Sequence, residues 1–103
     1  MNDEAYNEAY NSRQWKLLRE VIALYRAGRC PLERLIGQVE GLISALELLD
    51  AGLREKLGQA AGMLEDVHAV ALDCGELVSD SDPSIEQALT TLDMCAEDAL
   101  KRT

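Results

Sequence analysis

The chain has 103 residues, enough for one domain, with a formal net charge of −9, 48% hydrophobic residues, 4% aromatics and no Phe. A core must then be built from Leu, Ile, Val and Ala, which suits packed helices better than a β-sandwich. The acidity argues against nucleic acid or an anionic membrane as a direct ligand, and no apolar run approaches the ~20 residues of a membrane span.

The N-terminus, MNDEAYNEAY, lacks the basic start and apolar stretch of an export signal, so a cytoplasmic location is expected. Its EAYN motif repeats at once, which places Tyr6 and Tyr10 one turn apart on the same helical face. Two readings follow: residues 1–10 extend the first helix and pack a Tyr pair on a neighbour, or they form a frayed arm open to a partner. Trp15, Leu18, Val21, Ile22 and Tyr25 continue at helical spacing, giving a helix over 4–27 that Gly28 stops. Pro31 sits where a first helical residue belongs. Leu32, Leu35, Ile36, Val39, Leu42, Ile43, Leu46 and Leu49 then mark a helix over 31–49, ended by the turn Asp50-Ala51-Gly52. Gly37 and Gly41 form a GxxxG, read as a place where a neighbouring helix comes close.

A third helix, 53–73, carries Leu53, Leu57, Ala61, Leu64, Ala71 and Leu72 inward, and Cys74-Gly75 begins its end. SDSDPS leads into a fourth, 83–100, with Asp82 placed to cap it, Pro83 in its first turn, and Ile85, Leu89, Leu92, Ala96 and Ala99 as its inner stripe. Four such stripes on short connections define an all-α, antiparallel four-helix bundle in a single domain.

The stretch LEDVHAVALDCGELVSD (64–80) collects residue types that enzymes use, including His68, the one histidine, and Cys74. Their spacing separates them. At ~100° per residue, His68 falls within roughly 40° of Leu64 on the apolar stripe, while Asp66 and Asp73 point the other way and Cys74 lies about 240° round. A general base needs its partner within hydrogen-bond reach, so no enzyme is expected and His68 reads as a core-edge residue. Asp80, Asp82, Ser84 and Glu86 alternate like the opening of a calcium loop. Ile85 stands where its glycine belongs, however, and Thr91 where its final Glu belongs. Cys30, Cys74 and Cys95 form no CxxC pair and read as reduced, small hydrophobes. No metal or cofactor is expected.

What stands out is charge placement. Residues 57–100 contain ten acids and no Lys or Arg, whereas residues 1–34 carry five acids and six bases. On the outer face of the third helix, Glu55, Gln59, Gly62, Asp66, Ala69 and Asp73 recur at threes and fours, alternating carboxylates with small residues. Glu76, Asp80, Asp82 and Glu86 continue the acidity beyond it. Such a face is either solvated surface or a docking site for a basic partner. An ordinary solvated face mixes signs, and forty-four residues without a base do not. The expected docking residues are Asp66, Asp73, Glu76, Asp80, Asp82 and Glu86, with the helix-1 surface around Tyr6, Tyr10 and Trp15 as the fallback.

LYRAGRCPLERLIGQVEGLISALE (24–47) followed by LEDVHAVALDCGE (64–76) resembles small helical immunity proteins of bacterial polymorphic-toxin and contact-dependent growth inhibition systems. The shared pattern is a Tyr and Gly closing one helix, a Leu-rich helix with a central Glu, and a third helix ending in an AVALD-x-GE-like stretch. This resemblance implies an antitoxin: a non-catalytic protein that binds and neutralises one cognate toxin domain, in many cases a nuclease with a basic cleft. The alternative from another class is a regulatory or adaptor bundle that self-associates through helix 1 or the GxxxG helix.

Overall fold

A computed structural model of the chain describes residues 3–46, 49, 51–74 and 83–101, with side chains described from residue 9 onward except those of 71–74. The helices are α1 (Asp3–Arg26), α2 (Leu32–Ala45), α3 (Ala51–Cys74) and α4 (Pro83–Lys101). α1 packs on α2 and α4, α3 packs on α2 and α4, and the backbones of the diagonal pairs do not come close among the described residues. Two ion pairs fix the sense of α1 against α4: Arg19 reaches Asp93 and Arg26 reaches Glu86, so one helix advances as the other retreats. The fold is an all-α antiparallel bundle.

The helical spacing read from the sequence delivers its apolar stripes to one core. Trp15, Leu18 and Ile22 from α1, Leu35 and Val39 from α2, Leu57 and Leu64 from α3, and Ile85, Leu89 and Leu92 from α4 are all at or below 2% exposed. Ala60 and Ala88 join them, filling positions beside the expected Ala61 and Ala96. No residue of the polar or charged types is buried among the described residues, so burial here stabilises chiefly through apolar area.

α1 stops where Gly28 adopts φ +74°, a left-handed conformation that an L side chain disfavours. The Gly28 N–H donates to the Tyr25 carbonyl and the Arg29 N–H to the Leu24 carbonyl, at 3.0 and 2.9 Å, which together form a Schellman turn. This turn sets Arg29 beside Leu24. A Cβ on Gly28 would meet no atom within 4 Å, so the cost of Gly28→Ala is backbone strain alone. Thermal melts should show a loss of about 1–2 kcal/mol; an unchanged midpoint would contradict the cap assignment.

The boundaries correct the sequence reading in four places. α2 ends at Ala45 instead of 49: Leu46 turns extended (φ −67°, ψ 138°), its N–H shared between the Leu42 and Ile43 carbonyls, and its side chain enters the core at 2% exposed. Pro31 is the cap of α2 and not its first helical residue, because its ψ of 155° is extended. Ala51 and Gly52, expected in a turn, already belong to α3. The GxxxG of α2 faces solvent, since a Cβ on Gly37 or Gly41 would meet nothing within 4 Å; the buried stripe of Leu35, Ile36 and Val39 lies on another side of the helix. No described residue approaches that pair of glycines.

α1 is continuous from Asp3, so the EAYN repeat is an extension of the helix, and Tyr10 is half-buried. The side chain of Tyr6 lies outside the described residues. Trp15, named with the fallback surface, is 2% exposed and belongs to the core.

Candidate partner-binding surface

The outer face of α3 is built as its spacing predicts. Glu55, Gln59, Asp66 and Ala69 are exposed, and Gly62 between them is open enough that a Cβ would meet nothing within 4 Å. Val70, 62% exposed, adds an apolar side chain beside Asp66 and Ala69. His68 is half-buried at the core edge. Of the other expected docking residues, Asp73 lies in α3 with its side chain outside the described residues, and Glu76, Asp80 and Asp82 lie outside them altogether.

Glu86 has a different surrounding. On α4 it accepts a 2.7 Å hydrogen bond from the Arg26 guanidinium, while Asp93 accepts one from Arg19 at 3.0 Å and lies 3.9 Å from Arg26. Two of the six bases of residues 1–34 are thus laid against two of the four acids of α4, and part of the repulsion inferred from the charge distribution is offset inside the protein. Farther along α4, Lys101 bonds Glu97 at 3.1 Å. The Lys101 hydrogen bond, its charge and that of Arg19 hold the Glu97 carboxyl below the usual carboxylate range.

The described acids of α3 receive no such compensation among the described residues. No salt bridge among the described residues reaches Asp66, Glu65 or Glu40. Glu65 instead meets Glu40 of α2, a second carboxyl. The Glu40 carboxyl is pushed above its ordinary range, first by its hydrogen bond to Glu65, then by partial desolvation and by the charge of Glu65. Sequence reading missed this pair because its members lie on different helices and only packing joins them. The sign of the linkage follows. The folded state holds the Glu40 proton more tightly than the unfolded chain, so the bonus is present below the unfolded value and is lost as pH rises through the folded one. Glu65→Gln should bring the Glu40 midpoint back toward the ordinary value in an NMR carboxyl titration. A midpoint that stays raised would show that Glu65 is not its cause.

Little else in the described residues has the makings of chemistry. Cys30 and Cys95 are free thiols; Cys30 is buried and Cys95 half-buried, with burial raising the Cys95 thiol against a smaller opposing pull from Lys56. No three His, Cys, Asp or Glu side chains among the described residues gather closely enough to hold a metal ion. Adding Ca²⁺ or Zn²⁺ in modest excess should leave the melting temperature where it is, since an ion that bound the folded state would raise it. A rise of many degrees would reveal a metal site. No helix among the described residues is long and apolar enough to cross a membrane. Comparison of the chain with protein-family models, curated proteins and solved structures finds no match in any of the three.

Proposed function

We propose that the chain is a cytoplasmic immunity protein, an antitoxin that binds and neutralises a cognate bacterial toxin domain without catalysis, and that the outer face of α3 meets a basic surface of that toxin. The supporting observation is the contrast between two acidic helices. Three of the four acids of α4 have a cation, Glu86 and Asp93 from Arg26 and Arg19 and Glu97 from Lys101, whereas Asp66 and the Glu40–Glu65 pair are left without one among the described residues. Juxtaposed like charges cost stability in the free protein, and a cationic partner relieves that cost on binding. A nuclease cleft shaped for phosphates has the matching sign. Asp73, Glu76, Asp80 and Asp82 extend the same acidity in sequence. Glu86 contributes less to this reading, because binding through it competes with Arg26. The test is coding context followed by growth: a toxin domain should be encoded beside this chain, and cells producing it should survive when the chain is co-produced and die when it is not. Death in both cases rules the reading out.

A further inference from the structure

A second surface lies on α1, away from the acids of α3. Leu24 is 46% exposed and borders a cleft on one side and a shallow patch of α1 on the other. The cleft, of about 310 Å³, lies between α1 and α2 and is lined by Val21, Cys30 and Leu42 among others; the shallow side carries Ala23 and Ala27. Leu24, Glu20 and Arg29 border both. Neither Glu20 nor Arg29 makes a salt bridge among the described residues. The Schellman turn holds Arg29 beside Leu24, so the patch is an apolar ridge with a carboxylate one turn before it and a guanidinium just after it.

We propose that this patch is the interface of a homodimer with twofold symmetry. A twofold contact needs a surface complementary to itself. Here an exposed leucine adjoins a shallow surface of small alanines, so two copies of α1 can approach closely with Leu24 of each laid on the Ala23–Ala27 side of the other. Glu20 lies four residues before Leu24 and Arg29 five after it. An antiparallel pairing of two α1 helices about Leu24 therefore brings Glu20 of each copy opposite Arg29 of the other, twice per dimer. Whole-molecule charge selects the same place. Two chains of −9 repel over most of their surface, and residues 1–34, with six bases to five acids, are a stretch where bases outnumber acids. The acidic face of α3 remains free in such a dimer, so this inference stands apart from the toxin-binding reading.

Sedimentation velocity over a wide concentration range tests it. Wild type should show a reversible monomer–dimer equilibrium that closes at two copies. Glu20→Arg and Arg29→Glu each set like charges face to face and should weaken the dimer by roughly tenfold or more. The double variant, with the charges exchanged, should restore it. Leu24→Glu should abolish the dimer while circular dichroism and the melting midpoint stay near wild type, because the side chain is half-exposed. A wild-type chain that stays monomeric throughout, or that grows beyond a dimer, overturns the proposal and leaves the patch to a different polypeptide. Single charge reversals without effect, or a double variant that fails to recover, overturn it as well.

Discussion

Trp15→Ala should cost about 3–5 kcal/mol, the range for emptying a large aromatic from a packed interior. Trp15 is the bulkiest of the fully buried side chains and shares its cluster with residues from all four helices, including Leu18, Leu35, Leu64 and Leu92. The core offers no Phe to compensate, and leucines cannot collapse into an indole-sized void without leaving staggered rotamers. Against the ~5–15 kcal/mol that holds a typical domain folded, a loss of this size leaves a chain near its unfolding midpoint at modest temperature. Leu35→Ala, also fully buried, should cost ~2–5 kcal/mol by the same mechanism, and Val39→Ala somewhat less. Leu17→Ala, on the same helix but 47% exposed, is the control and should cost far less. Urea titrations of the four variants check the order. Equal losses for Trp15→Ala and Leu17→Ala would mean that the core lies elsewhere.

The core was legible because helix periodicity sorts side chains without reference to any neighbour. Every residue expected on the inner stripe of α1 is buried, and those of α2 are buried or packed against the core. What periodicity cannot carry is the identity of the neighbour. Gly37 and Gly41 have the spacing of a close helix contact, yet α2 turns them to solvent, because its leucine stripe has the stronger claim on the interior. Leu46 shows the same limit at a boundary: its place in the apolar pattern suggests more helix, while the core accepts it from an extended cap.

The candidate surface divides along the same line. The outward direction of Asp66 follows from its place on α3 alone. The pairing of Glu86 with Arg26, sixty residues away, and of Glu40 with Glu65 follows from which helices are adjacent. A count of charges along the chain saw forty-four residues without a base, but not that α1 lends two arginines to α4. Asp66 and Glu86 have equal standing in such a count. In the bundle they differ: Asp66 has no cation among the described residues, while Glu86 is held by Arg26.

On the proposed immunity reading, neutralising Asp66, Asp73, Glu76 and Asp80 together, as Asn or Gln, should slow association with a cognate toxin domain by roughly 10- to 100-fold at low salt, because complementary charge acts mainly on the rate of encounter. Folding stability should hold or rise, since the four are like charges that repel and Asp66 is exposed. Glu86→Gln should change association little and instead weaken the α1–α4 contact at Arg26, an exposed ion pair worth at most about 1 kcal/mol. The decisive measurement is the association rate of wild type and of the fourfold variant at two salt concentrations. A steep fall with salt for wild type, flattened in the variant, is the predicted result. Equal rates and equal salt dependence for the two proteins would show that the acidic face of α3 is solvated surface and that recognition lies elsewhere on the bundle.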